Sequence, residues 1–171
     1  MLKERFAILV GMVLAAAASR LMPHPPNLTP IAALALFGGA TFSDKRIAFL
    51  APLTALFLSD LVMGLYSGLW VVYGSFVLIV CMGFWLRTRR RIAPIAGATL
   101  ASSVLFFMTT NFGVWALDSL YPKTASGLAA CYAAGIPFFR NTLVGDMAYA
   151  AILFGGLALA ERWFPAVREP A

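Results

Sequence analysis

The chain has 171 residues, of which 61% are hydrophobic and only 12% are charged. Soluble globular domains contain about 45–50% apolar residues and about 25% charged residues. A chain this short would also need a large polar surface to stay in water. The composition therefore excludes a soluble enzyme, a nucleic-acid-binding protein and a disordered tail. With a mean hydropathy of +0.86, it predicts one integral membrane domain over residues 1–171.

Long apolar runs predict six transmembrane helices, because a spanning helix needs roughly 20 mostly apolar residues. The predicted helices cover 6–22, 30–42, 47–66, 69–86, 92–117 and 142–163. The second run is the shortest and ends in two glycines. A cleaved signal peptide is the alternative for the first run, but the spanning runs that follow favour a retained helix.

The segment before the last predicted helix, 118–141, contains a weakly apolar, Ala-rich stretch over 124–136. This stretch is bounded by Lys123 and Arg140 and is too short to span a bilayer comfortably. We therefore expect an extra helix here that lies at the membrane surface or dips into the protein. The predicted fold is an all-α membrane bundle of six spans with this one surface helix.

Lys and Arg residues set the orientation of a membrane protein, because they are enriched in cytoplasmic loops. If both termini are cytoplasmic, the inner side holds Lys3, Arg5, Lys45, Arg46, Arg87, Arg89, Arg90, Arg91, Arg162 and Arg168, and the outer side holds only Arg20, Lys123 and Arg140. This asymmetry predicts an inner, cytoplasmic-membrane protein with both termini inside. The net charge of +6 and the RTRRR run at 87–91 then indicate contact with anionic lipid rather than nucleic acid.

Polar side chains are costly in hydrocarbon and usually mark a site or a structural pair. Under this topology they collect at the outer ends of the third, fifth and sixth helices, together with many aromatic residues. The candidates for ligand contact are His24, Asp60, Tyr66, Trp70, Tyr73, Asn111, Phe112, Trp115, Tyr132, Phe138, Arg140, Asn141 and Asp146. An interfacial aromatic belt and packing aspartates, one paired with Arg140, would explain each residue singly. The set as a whole favours an outward-facing ligand pocket.

The first loop, PHPPNLTP at 23–30, contains four prolines. Because proline fixes its own φ angle, such a loop is suited to a wall that keeps its shape. We expect this loop to form one side of the outer pocket.

Motifs for ATP hydrolysis and for hydrolytic catalysis are absent from the sequence. There is no phosphate-binding G-x-x-x-x-G-K-[ST] loop and no G-x-S-x-G nucleophile motif. With His24 as the one histidine, a zinc protease of the usual form is excluded. Uphill transport would have to draw on a partner protein or an ion gradient.

The first helix carries small residues at every fourth position, namely Ala7, Gly11, Ala15 and Ser19. Small residues at this spacing allow another helix to approach closely. Two interpretations are open, packing inside the bundle and docking of a separate membrane protein.

Two cysteines, Cys81 and Cys131, do not amount to a disulfide framework. A cysteine inside a membrane helix, as Cys81 is predicted to be, is most often a small apolar filler. The alternative is a soft sulfur ligand for a transition metal that a macrocycle already chelates. Cys131 is the second candidate for that role.

The stretches PHPPNLTPIAALALFGGA (23–40) and ACYAAGIPFFRNTLVGD (130–146), with the small residues of the first helix, resemble a known family. They are similar to the S-components of energy-coupling-factor vitamin transporters, above all to the solitary S-components for cobalamin of Gram-negative bacteria. The resemblance implies capture of vitamin B12 from the outer side of the inner membrane. It also implies docking, through Ala7, Gly11, Ala15 and Ser19, onto a transmembrane coupling subunit that carries two ATPases.

By the same resemblance, Cys81 would be the thiolate that ligates the cobalt of cobalamin. Because a thiolate is a strong soft ligand, we expect this ligation to promote decyanation of cyanocobalamin. The predicted bounds place Cys81 about twelve residues, roughly 18 Å, from the outer end of its helix. Either the corrin ring enters deeply, or the helix begins later than residue 69, which Gly74 would allow. Three alternatives are an S-component for another vitamin or corrinoid precursor, a membrane enzyme that processes cobalamin, and a structural subunit that binds no small molecule.

Overall fold

The computed structural model describes residues 2–168 and is helical throughout, with no strand in that range. Its elements are α1 (Leu2–Ser19), α2 (Ile31–Thr41), α3 (Lys45–Met63), α4 (Leu69–Leu86), α5 (Ile92–Leu117), α6 (Ala125–Trp163) and the 3-10 turn η1 (Pro165–Val167). Four of them, α3 to α6, are long and apolar enough to cross a membrane. The composition-based assignment to the membrane therefore agrees with the helices that form.

The bounds of α4 and α5 are those predicted from the apolar runs. Helix α3 begins two residues earlier than predicted because the Asp44 carboxylate caps it, accepting the backbone N–H of Arg46 at 2.7 Å. It ends at Met63, three residues early, because Gly64 takes a φ of 100° that other residues rarely adopt.

The separate surface helix is not present, and the prediction of it was wrong. Helix α6 runs without interruption for 39 residues, about 58 Å at 1.5 Å per residue. Thr124 caps its start by accepting the N–H of Gly127 at 3.1 Å, and the Ala-rich stretch that follows has high helix propensity. Pro137 lies inside the helix. The helix continues through it while its first turns pack along α5, where the Tyr132 hydroxyl donates to the Met108 carbonyl at 2.8 Å.

The short helix α2 lies at the centre of the bundle. Every residue from Ala32 to Thr41 is buried, and at 11 residues, about 16 Å, the helix is too short to span a membrane. It crosses α4 at backbone contact, since a Cβ built on Gly83 would lie 2.8 Å from the Cα of Gly39. Glycines at both positions let the two helices approach this closely.

One end of the bundle is held together by arginines, and we call it the basic end. Arg87, after α4, donates to the last carbonyls of α2, with Nε 3.0 Å from Gly39 O and Nη2 2.6 Å from Phe42 O. Arg5 of α1 binds Glu161 of α6 at 2.7 Å and the Val167 carbonyl at 2.6 Å. These contacts satisfy carbonyls at helix C-termini, which have no partner within the helix.

Candidate ligand-binding cavity

A cavity of about 550 Å³ lies at the other end of the bundle, which we call the cavity end. Its walls come from the loop between α1 and α2, the start of α2, the turn between α3 and α4, and helices α4, α5 and α6. Aromatic rings line much of it, namely Tyr66, Phe76, Phe106, Phe107, Phe138 and Phe139, and polar side chains converge on it, among them Arg20, His24, Thr110, Asn111, Thr142 and Asp146. Mostly apolar walls with a few polar groups, at a volume of about 300–1,000 Å³, are typical of small-molecule sites.

The proline-rich loop forms one wall of this cavity, as its composition predicts; Pro26, Asn27 and Thr29 all line it. The loop is tied to α6 by Asn141, whose Nδ2 donates to the Pro26 carbonyl at 2.9 Å. Close by, a Cβ built on Gly145 would lie 3.2 Å from the backbone N of Thr29. The wall is therefore held by proline geometry and by tight packing on α6.

A buried ion pair borders the cavity, and its basic partner is Arg20, not Arg140. Arg20 Nη1 lies 2.9 Å from Asp60 Oδ1 and also binds the Ser59 hydroxyl. The Tyr73 hydroxyl donates to the other Asp60 oxygen at 3.0 Å. Arg20 is 7% exposed and Asp60 is 1% exposed, whereas Arg140 is exposed. The pair ties the end of α1 to α3 and, through Tyr73, to α4.

Sequence reasoning did not identify Arg20 as part of the site. Its signal was present, because a single arginine closes the first apolar run and a single aspartate interrupts the third. Such lone charges in a membrane chain usually pair with each other. The pairing itself could not be read from the sequence, since the two residues are 40 positions apart.

A second buried acid, Asp146, lines the cavity from α6 and is 1% exposed. The Ser103 hydroxyl of α5 donates to its Oδ2 at 2.7 Å, and the backbone N–H of Ala33 also interacts with the carboxylate. The residue before α2, Pro30, provides no side-chain cap. Asp146 thus lies near the start of α2, at the positive end of the helix dipole.

Five of the predicted contact residues line the cavity: His24, Tyr66, Asn111, Phe138 and Asp146. Tyr66 lies in the turn between α3 and α4. Loss of hydration, with a smaller contribution from the Asp60 charge, raises the pKa of Tyr66 to about 12. Its phenol therefore stays neutral at physiological pH.

The remaining predicted residues are at the same end of the bundle but do not line the cavity. Trp70, Phe112 and Arg140 are exposed, Asp60 and Tyr73 belong to the ion-pair cluster, and Trp115, Tyr132 and Asn141 bond to backbone carbonyls. Phe112 shows why a residue at the correct height of a helix can still miss the cavity. It follows the lining residue Asn111 directly, and one residue turns an α-helix by about 100°.

Neither cysteine lines the cavity. Cys81 is exposed on α4, about 140° around the helix from the lining residue Phe76 at 3.6 residues per turn. Cys131 is buried, with its Sγ 3.3 Å from the Asn111 carbonyl oxygen. Within residues 2–168 no group of three or more His, Cys, Asp or Glu side chains could hold a metal ion. The structure therefore does not bring Cys81 together with the cavity residues.

The small residues of α1 are mostly left uncovered. Ala7, Gly11 and Ala15 are exposed, and a Cβ added at Gly11 would meet no atom within 4 Å. Ser19 differs from them, since its Oγ lies 2.8 Å from the Tyr149 hydroxyl. Three of the four positions are thus not used for packing inside this chain.

Fold and cavity together define an α-helical membrane protein with a small-molecule-sized cavity at one end of its bundle. The chain belongs to the family described as Family of unknown function (DUF6580), whose match covers residues 1–167. No curated protein and no solved structure matches the chain.

Proposed function

We propose that this protein captures a vitamin-sized organic molecule in its cavity for uptake across the bacterial inner membrane. The observation that carries the proposal is the cavity itself, about 550 Å³ of mixed aromatic and polar lining. The distribution of Lys and Arg supports an orientation with both termini cytoplasmic and the cavity facing outward. The resemblance to S-components supports a role as the substrate-binding subunit of a transporter.

Uptake through such a subunit needs an energy source outside this chain, because the sequence has no phosphate-binding loop. The partner in this proposal is a transmembrane coupling subunit with two ATPases. The exposed small residues Ala7, Gly11 and Ala15 support a docking face on α1, since small side chains let a partner helix approach the backbone.

Cobalamin is the ligand that the resemblance favours, with the Cys81 thiolate on cobalt. Coordination by sulfur from the lower face would displace the nucleotide base and push electron density onto the cobalt. The opposite bond to cyanide is thereby weakened, and an external thiol or reductant completes decyanation. Because Cys81 is exposed on α4 and lies outside the cavity lining, this version needs the corrin ring to reach the outer face of α4.

The test is the absorption spectrum of the detergent-purified protein after incubation with cyanocobalamin. The matched variants are Cys81→Ala and, as the control thiol, Cys131→Ala. Retained pigment with a shifted spectrum that is lost only in Cys81→Ala supports thiolate ligation. Retained pigment with the same shift in Cys81→Ala contradicts ligation by that thiol.

A protein that retains no corrinoid contradicts cobalamin as the ligand. A thermal-shift screen of other vitamins then tests whether the cavity binds a different ligand. That result would support the alternative of an S-component for another vitamin, in which Cys81 is only a small apolar filler. A cobalamin-processing enzyme is distinguished by counting product, because an enzyme releases many equivalents of cyanide per protein and a binding subunit releases at most one.

A further inference from the structure

We propose that the molecule bound in the cavity is an organic cation and that the Asp146 carboxylate is its counterion. The inference rests on the proposed function, because it specifies the class of ligand that the same cavity takes. Three features carry it: the charge balance of the cavity, the chemistry of its walls, and the way in which its anion-binding groups are already used.

The cavity has one acidic group without a basic partner. Arg20 is paired with Asp60 at 2.9 Å, so that pair is neutral as a unit. Asp146, 1% exposed, accepts a hydrogen bond from the Ser103 hydroxyl at 2.7 Å and interacts with the Ala33 N–H. None of the ion pairs seen between residues 2 and 168 involves it. The α2 dipole amounts to only about half an elementary charge. A buried carboxylate in this state is stabilised by an added cation.

The cavity walls favour an organic cation over a metal ion. The rings of Phe107 and Phe139 lie 4.8 Å apart, and those of Phe76 and Phe106 stack at 5.2 Å. Phe106, Phe107 and Phe139 line the cavity with partly exposed rings, whereas Phe76 is 1% exposed and stacks on Phe106. Aromatic rings attract cations while offering apolar contact. A metal ion would need several oxygen or nitrogen ligands. An ammonium group or a cationic heteroaromatic ring meets both the carboxylate and the phenyl rings.

Two features of the same cavity favour an anion, namely Arg20 and the N-terminus of α2. Both already have an acidic partner within the protein, Asp60 for Arg20 and Asp146 for α2. An anionic ligand would have to compete with those carboxylates and would lie close to the Asp146 charge. The arrangement therefore favours a cation, and binding of an anion is an outcome that the experiment can detect.

The test uses one ring system in three charge states, titrated calorimetrically into the detergent-purified full chain at pH 7.5. The probes are 1-methylquinolinium (cation), quinoline (neutral at this pH) and quinoline-4-carboxylate (anion). The wild type should bind the cation roughly tenfold more tightly than neutral quinoline. Asp146→Asn should remove this preference without weakening the binding of quinoline.

Asparagine at position 146 removes the negative charge but keeps a side-chain oxygen that can accept a hydrogen bond from the Ala33 N–H. Asp44→Asn is the matched control, because Asp44 caps a helix but lies at the basic end. This control should bind all three probes as the wild type does.

A wild type that binds quinoline as tightly as the cation overturns the inference but leaves the small-molecule site intact. If quinoline-4-carboxylate binds most tightly, the inference is also overturned, and recognition of the ligand is assigned to Arg20 and the N-terminus of α2. If Asp146→Asn still prefers the cation, Asp146 is not the counterion of the ligand. Failure of all three probes to bind overturns the inference, and the vitamin screen then decides the proposed function separately. The ranking in the wild type tests the proposal even if Asp146→Asn does not fold.

Discussion

The two ends of the bundle both bury charged side chains, but they use them differently. At the basic end, Arg5 and Arg87 donate to carbonyls at helix C-termini and to Glu161, so their charges join helices. At the cavity end, Arg20 and Asp60 neutralise each other, and Asp146 has a hydrogen bond from Ser103 but no ion pair within the described chain. Charged side chains therefore join helices at the basic end, whereas one buried carboxylate at the cavity end has no ion-pair partner within the described chain.

The largest loss of stability should come from breaking the ion pair at the cavity end. Asp60→Asn leaves the Arg20 guanidinium buried without its counterion, and removing one partner of a buried pair costs about 3–5 kcal/mol. Thermal unfolding in detergent, followed by tryptophan fluorescence, should show this loss. The double variant Arg20→Met with Asp60→Leu should recover much of it. Equal instability of the single and double variants would contradict the pair as the cause.

The crossing of α2 and α4 should be the next most sensitive feature. Gly83→Ala places a methyl group 2.8 Å from the Cα of Gly39, and overpacking of this kind costs about 1–3 kcal/mol or more. Gly74→Ala is the control on the same helix, because its Cβ meets nothing within 4 Å. Equal melting temperatures for the two variants would show that the helices do not cross this closely.

The ion pair at the basic end should contribute less than the pair at the cavity end. Arg5 is 4% exposed, but Glu161 is 29% exposed and Arg5 keeps the Val167 carbonyl as an acceptor. The cost of Glu161→Gln should therefore lie between the ~1 kcal/mol of an exposed pair and the ~3–5 kcal/mol of a buried one. The effect should shrink further as ionic strength rises. A loss as large as that of Asp60→Asn would mean that the two ends do not differ as described.

Substitution in the proposed docking face on α1 should have the smallest effect on stability and a separate effect on uptake. Gly11→Leu adds a side chain where no atom lies within 4 Å. The free energy of unfolding should therefore change by under about 0.5 kcal/mol, and the melting temperature should change little. Ligand binding by the isolated protein should also be kept. Uptake in cells should fall, because the bulky side chain blocks close approach of a partner helix. Unchanged uptake would count against this face as the docking site.

Prediction from the sequence succeeded where the information is local. The bounds of α4 and α5 follow from apolar runs between arginines and glycines, and the loop at 23–30 forms a wall because its prolines restrict it. Prediction failed at α6, where a weakly apolar, Ala-rich start led to the expectation of two helices instead of one. Packing of Tyr132 against α5 compensates for the weak hydrophobicity of that start, and this contact between helices is not visible in the sequence of either.

The candidate site was predicted only in part, because the sequence gives the position of a residue along its helix but not its contacts with other helices. The sequence placed polar and aromatic residues at one end of the helices, and five of them do meet in the cavity. It did not separate Asn111 from Phe112, or Arg20 from Arg140, because a position along a helix does not specify the direction in which its side chain points. That direction depends on how each helix is rotated against its neighbours.

The sequence by itself therefore determined that this is a helical membrane protein, the order of its helices, and which end collects basic residues. Those properties follow from composition and local periodicity, which need no knowledge of neighbours. The tertiary structure decided that α2 forms the core, that Arg20 pairs with Asp60, that Asp146 lies near the start of α2, and that Cys81 is turned away from the cavity. Each of these depends on contacts between helices far apart in the chain, where packing and the cost of burying charge select one rotation.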